Sequence, residues 1–447
     1  MAPFPESMSQ DNAAFMLAYM GLFHGIDASR GLDEAERAQF RKRFELLKKT
    51  GAIPDKPAIS PGDWKALRAY YLGLARYPFE SGEEARPPEV NPITFDDQGI
   101  TLVKTLKDGS VAVGGGVTGR LQFFSAEFKP VYSLILDSPP VWIEEAPGGY
   151  FVLTLGSLLG ALSDENKAAL YFVDAKTRTA RKILANLPRS GHFMAADLNA
   201  DGKPDFLLAA FGAVTGGGIL LFESTATGYK EKTLSNHASV VRLAPLSMSA
   251  GKAEFLALAG GAREALLHIR YEKGRVEEKT LTEYPPHLGS VWLEVADIDG
   301  DGTKEILVLS GDNADSGPYN ETKPDQGLRI YAYESGTLRQ LRFESAPGAL
   351  AMTLVPRGQG NNIAITRFYA APDRKQDLTV LDFAQGFSAQ RTHYTLSSRP
   401  TVFAALKDRW LIGSGNFPLA AKVDGKVMLR DFKGPVLFTV DAKLAKN

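Results

Sequence analysis

The sequence of 447 residues has no cysteine at all. That one absence removes disulfides, thiolate zinc sites, a cysteine nucleophile and thioether-attached haem. A surplus of charge is missing too. Lysine plus arginine number 51 against 52 acidic residues, a formal net charge of -1. Such a balance speaks against nucleic acid or an anionic membrane as partner, because counterion release needs a basic surface. No apolar run reaches the roughly 20 residues that span a bilayer as a helix. Met1–Ser9 has neither a charged start nor an apolar stretch, so no signal peptide is expected from it. A GxSxG motif is absent, as is any HxxxH or HExxH pair.

What is present points to turns and short strands. There are 43 glycines and 26 prolines, in a chain that is 44% hydrophobic and 23% charged. Residues 1–80 read helical, with an apolar segment over 12–23 and a second over 33–49 that carries Phe40 and Phe44 among charges. Ser60-Pro61-Gly62-Asp63 before Trp64 is a helix start. The serine oxygen accepts from an otherwise unpaired N–H, and proline needs no donor at the first position. Residues 81–92 are polar and proline-bearing, a linker.

From about Phe95 the period becomes strand-like, and one phrase recurs at roughly fifty-residue intervals. It stands at Val141–Pro147, His192–Leu198, Val240–Leu246, Val291–Asp297, Ala349–Val355 and Thr401–Lys407. Fifty residues suit one four-stranded propeller blade. With the strands of 100–138 the phrases give seven units, so residues 93–447 are expected to form a seven-bladed β-propeller. A strand near 93–95 should close the ring beside 436–440. The fold class is therefore mainly β, with a small N-terminal α-helical domain.

Two segments carry metal chemistry. Asp197, Asn199, Asp201 and Asp205 occupy positions 1, 3, 5 and 9 of one loop, and Lys203 offers a backbone carbonyl at 7. Asp297, Asp299, Asp301 and Glu305 do so in the other, with Thr303 at 7. Calcium takes six to eight oxygens, and this spacing folds several around one point. An EF-hand would need flanking helices, whereas these flanks read as strands. Two Ca²⁺ sites are expected, the second tighter because Asn199 is neutral. An acidic hairpin turn without metal is the plainer alternative. The long polar stretch from Gly311 to Gly327, with Asp312, Asn313, Asp315, Tyr319 and Asp325, is a candidate ligand or partner loop; a self-packed Ω-loop is its bland counterpart. His192 begins an inner-strand phrase and faces either the channel or the core. His24 and Met20 read as core residues of a helix.

The acidic loops and Phe211-Gly212 with Gly216-Gly217-Gly218 resemble FG-GAP/VCBS repeats. Gly311-Asp312-Asn313-Ala314-Asp315, followed by Lys323-Pro324 and Gly327, is similar to a blade of bacterial secreted VCBS-repeat proteins whose propeller follows a c-type cytochrome-like head. The resemblance makes residues 1–80 a degenerate head of that type. The family's CxxCH is absent, so no haem is expected. It implies a periplasmic or extracellular protein, where calcium is plentiful, with the cytoplasm as the alternative. The leading expectation is a noncatalytic module that binds a protein or glycan through propeller loops. A carbohydrate-active lyase or hydrolase with a site at the channel mouth is one alternative. A haem-free accessory subunit of an extracytoplasmic redox complex is another.

Overall fold

The computed structural model describes residues 10–441 other than 50, 52, 76–84, 86, 157–164, 213–215, 262, 286–287, 312–322, 335, 358–359, 370–375, 385–387, 407–408 and 424–425. Three helices come first: α1 Gln10–Phe23, α2 Glu34–Lys49 and α3 Pro61–Leu74. Helix α1 is apolar nearly all round and is buried accordingly, with Phe15, Met16, Tyr19 and Leu22 in one cluster with Phe40 and Leu47 of α2. Helix α2 starts with a reciprocal capping box. The Glu36 N–H donates to Asp33 Oδ1 at 3.0 Å, and the Asp33 N–H donates to Glu36 Oε2 at 2.8 Å. Ser60 caps α3 as its sequence predicts, its hydroxyl accepting from the Asp63 N–H at 3.1 Å.

The rest of the chain forms seven antiparallel four-stranded sheets. Their innermost strands are Ile100–Thr105, Pro140–Ala146, Ser190–Ala196, Val240–Ser249, Ser290–Ala296, Ala351–Pro356 and Arg399–Ala405. Each recurring phrase of the sequence is thus the inner strand of a blade. Successive inner strands touch around the whole circle, and the last meets the first. The chain is a seven-bladed β-propeller, which leaves few strand edges open.

Composition follows radial position. Second strands lie between two neighbouring blades and are mostly apolar; Asp205–Ala210 and Glu305–Ser310 are buried at every residue. Outer strands meet water and are charged, as in Arg275–Glu283. Closure uses both ends of the ring. Val90–Pro92 pairs with Leu437–Asp441 as the outermost strand of blade 7, with Val90 opposite Val440. The closing partner is the predicted one, but the strand lies ahead of residues 93–95 and uses the end of the expected linker. Pro92 is tolerated there because an edge strand need not donate on its outer side.

Six of the seven inner strands carry a β-bulge at the same place. The extra residue is Thr101, Val141, Gly191, Val241, Val291 or Thr401. A bulge sets two residues against one and re-aims the side chains beside it. Trp142, Arg242 and Trp292, each the residue after a bulge, line the central channel. Inner-strand side chains also stitch blade to blade. Thr101 Oγ1 donates to the Pro140 carbonyl at 2.7 Å, Thr353 Oγ1 to that of Phe403 at 2.7 Å, and Thr401 Oγ1 to that of Ile100 at 2.6 Å.

Because strands alternate in direction, the connections from second to third strand all emerge on one face. They span 155–167, 211–217, 260–264, 311–326, 367–377 and 416–436 in blades 2 to 7, and only 116–119 in blade 1. The blade 7 connection contains a hairpin, Leu419–Val423 with Lys426–Arg430. Helix α1 packs on that hairpin, and Arg430 pins it to blade 6 by two bonds to the buried Asp377 carboxylate, 2.9 and 2.8 Å.

Candidate functional site

The two acidic loops join inner to second strands, so they lie on the face opposite the long connections. Both are tight turns closed by N–H donors of their own backbone. Asp197 accepts from the N–H groups of Asp201 and Gly202, and Asp297 from those of Gly300 and Gly302. Gly202 and Gly302 sit at φ 81° and 90°, where a side chain would be strained. Each loop is also tied to the next blade. The Gly251 N–H donates to the Asp197 carbonyl at 3.1 Å, and Asn361 Nδ2 to the Asp297 carbonyl at 2.8 Å.

Beyond that the two part company. In the first loop the Asp205 carboxylate accepts from the N–H groups of Leu198, Asn199 and Ser224 at 2.6, 3.0 and 2.6 Å. The Ser224 hydroxyl donates to Asp201 at 2.7 Å, holding its pKa below the ordinary carboxylate value, and Asn199 Nδ2 donates back to the Ser224 carbonyl at 2.9 Å. Protein donors therefore satisfy this loop. In the second loop Glu305 accepts from the Ile298 N–H at 3.0 Å, and the strand position matching Ser224 is Tyr333, whose hydroxyl meets His268 Nδ1 instead. Oxygens of Asp297, Asp299 and Glu305 lie within 4.8 Å of one another. Burial first, then the charges of Asp299, Asp301 and Asp297, push the Glu305 carboxyl up to about 7. This oxygen-rich, mutually repelling set fits a hard divalent cation. Lys203 and Thr303 hold position 7 in their loops, each donating its N–H to the preceding aspartate, Asp201 or Asp301.

The second feature is the central channel, about 850 Å³ in volume. That falls in the usual range for small-molecule sites. At the end bearing the long connections its wall includes Arg189, Phe211, Phe368, Tyr369, Arg399 and Phe417. Arg399 lies over the Phe368 ring at 3.7 Å and donates to the Phe368 and Pro418 carbonyls at 2.6 and 3.0 Å. Deeper in, Arg242 is stacked over Trp292 at 3.5 Å and Trp142 at 4.4 Å, and pairs with Glu294 at 3.0 Å. Burial draws the Arg242 pKa down to about 10. Each indole N–H points at the glutamate two residues on, Trp142 to Glu144 at 3.4 Å and Trp292 to Glu294 at 3.1 Å. Burial raises the Glu144 carboxyl to about 7.

Of the expected loop residues, Asp312, Asn313, Asp315 and Tyr319 lie outside the described residues. Asp325 is exposed, and its carbonyl accepts from Arg329 at 2.8 Å. The base of that connection is organised by Gln326, which is buried and bonds to Lys323, Leu288 and Gly348. His192 faces the core: it is stacked on Trp142 at 4.3 Å behind the channel wall. The channel arginines escaped the sequence reading. Their signal was positional, since Trp142, His192, Arg242 and Trp292 stand at strict fifty-residue intervals.

No protein-family model and no curated protein matches the sequence. Solved structures match in shape. A virginiamycin B lyase from Staphylococcus aureus aligns at 12% identity and TM-score 0.50, over 73% of this chain and 95% of its own. BBS1N in complex with ARL6DN aligns at 12% identity and TM-score 0.44, over 79% of this chain and 97% of its own. The N-terminal domain of Nup159 aligns at 10% identity and TM-score 0.41, over 80% and 99%. At such identities the likeness concerns the fold: this chain is a seven-bladed β-propeller.

Proposed function

We propose that the protein is a noncatalytic binding or assembly module of the FG-GAP/VCBS kind, which engages a protein or glycan partner on one face and is stiffened by calcium. The observation that carries this reading is the segregation of connections. Blades 2, 5, 6 and 7 each send a connection of more than ten residues to a single face, while the opposite face has short turns and the two acidic loops. A rigid ring displaying these loops side by side gives a broad surface whose ordering cost was met during folding. The aromatic residues Phe211, Phe368, Tyr369 and Phe417 at the channel end of that face suit a sugar ring or a partner side chain.

The wall's makeup favours holding over hydrolysing. Among the described residues that line the channel, Glu294 is the one carboxylate, and Arg242 engages it. Glycoside hydrolysis ordinarily uses two placed carboxyl groups. Calcium enters at the second acidic loop, where Asp297, Asp299 and Glu305 converge, and an extracytoplasmic location would supply it. The full chain on a glycan array, assayed for both retention and released product, tests the reading. Saturable retention without product is expected, lost when 312–322 is replaced by a Gly-Ser tether. Release of product would make the protein an enzyme and overturn it.

A further inference from the structure

The channel has a charge of its own. Four cationic side chains line it, Lys104, Arg189, Arg242 and Arg399, against the single carboxylate of Glu294 among the described residues. The chain as a whole carries -1, so positive charge has been gathered onto the axis. Apolar walls concentrate the resulting field and favour an anion inside.

Two of those cations share one ring. The Lys104 ammonium lies 5.3 Å and the Arg242 guanidinium 4.4 Å from the Trp142 ring centre. Arg242 is spoken for: its Nε donates to the Leu293 carbonyl at 3.1 Å and its Nη2 to Glu294 at 3.0 Å. Lys104 differs. Its side chain is exposed and lies on the indole face. Its acidic neighbour is Glu144, which feels the Lys104 charge but commits one oxygen to the Trp142 N–H and the other to the Ala195 N–H of blade 3. His192, buried behind the same indole with no partner for Nδ1, is held neutral by burial and by the charges of Arg242 and Lys104. The wall around Trp142 thus combines a flat ring with an exposed ammonium that no carboxylate holds by a direct bond among the described residues.

That surface is fixed in place. Each indole is anchored by its N–H to a glutamate on its own strand, and Arg242 stacks on both rings. Planar walls select planar ligands, and cations at their edge select negative charge.

We propose that the channel is a binding site for a small planar organic anion, an aromatic carboxylate or a molecule of like shape and charge, with its charged end at Lys104 and its flat body against Trp142, Arg242 and Trp292. This site is separate from the loop face and goes beyond the reading given above. A protein that retains no glycan would still take up the anion, and the reverse holds as well.

The test uses the full chain and three matched probes in titration calorimetry: 2-naphthoate, the neutral 2-naphthalenemethanol and the cationic 2-naphthylmethylammonium. Naphthoate should bind one to one and about tenfold or more tighter than the alcohol, a charged hydrogen bond being worth that much. The ammonium should not bind. Lys104→Gln should weaken naphthoate about tenfold and leave the alcohol unchanged, and Lys104→Arg should restore it. Because Lys104 is exposed, both variants should melt with the parent. Trp292→Phe should weaken naphthoate and the alcohol together, separating the stacking surface from the charge. Equal affinity for the three probes, naphthoate binding indifferent to Lys104→Gln, or no saturable naphthoate binding would each overturn the proposal.

Discussion

The two acidic loops are nearly the same sentence written twice, yet they have opposite electrostatic characters. In the first, Ser224 closes a circuit through Asp201, Asn199 and Asp205, so the neighbouring strand adds donors to those of the turn itself. In the second, Tyr333 stands where that serine would be, and Asp297, Asp299 and Glu305 are left facing one another. One residue on the neighbouring strand thus decides whether a loop is self-sufficient or calls for a cation. The lesson is that spacing alone sets the backbone of such a turn, while the adjoining strand sets its charge state.

This contrast can be broken most directly with calcium itself. At a hundredfold excess over its dissociation constant, calcium should stabilise the protein by about 2.7 kcal/mol relative to chelator. Asp299→Asn should abolish that gain in urea unfolding, and Asp201→Asn should leave it in place. If the first loop's variant removes the gain instead, the contrast is inverted.

The next largest effect belongs to the first loop. Asp205→Ala deletes the acceptor of three buried N–H groups, and should cost about 3 kcal/mol with or without calcium. A loss seen only in chelator would mean that a cation, not the serine circuit, organises this loop.

A smaller effect follows from protons. A carboxyl whose pKa is raised on folding favours the folded state while protonated. The contribution of Glu305 is therefore complete below its ordinary value of 4.5 and disappears as pH climbs through about 7. In chelator, stability should fall across that window, and Glu305→Gln should flatten the fall. Glu144 and Glu264, also raised to about 7 by burial, supply a background slope that the variant leaves untouched. Asp201 runs the other way. Its lowered pKa gives stability that is present above the ordinary value and lost as pH drops through the folded one. The smallest expected change is Ser224→Ala, about 1 kcal/mol for the lost hydroxyl bond. Coupled with Asn199→Asp, it should raise the calcium stoichiometry by one in calorimetry.

Much of the architecture could be read from residues because the repeat is regular. The inner-strand phrase recurs at fifty-residue steps, and apolar second strands alternate with charged outer ones, as a radial stack requires. The acidic turns were legible for the same reason: their geometry is local. The difference between them was not, since Ser224 and Tyr333 lie on third strands, 19 and 28 residues beyond the last residue of the loops they influence. The channel was hidden by another non-local effect. Arg242 looks like a surface residue in Val240–Leu246, and only a bulge at Val241 brings it to the axis between two tryptophans. The closing strand was anticipated in kind but displaced, because three residues with a proline carry little pattern of their own.

The pairing of Val90 with Val440 has a consequence for how the molecule comes into being. During vectorial synthesis the segment 90–92 is made before all seven inner strands, and its mate only after them. Until then blade 7 lacks both outer strands and the circle stays open, so the nascent protein must wait with two unsatisfied ends. Joining segments this far apart in sequence is slow for entropic reasons. Premature release of a truncated chain therefore yields an open ribbon instead of a smaller ring.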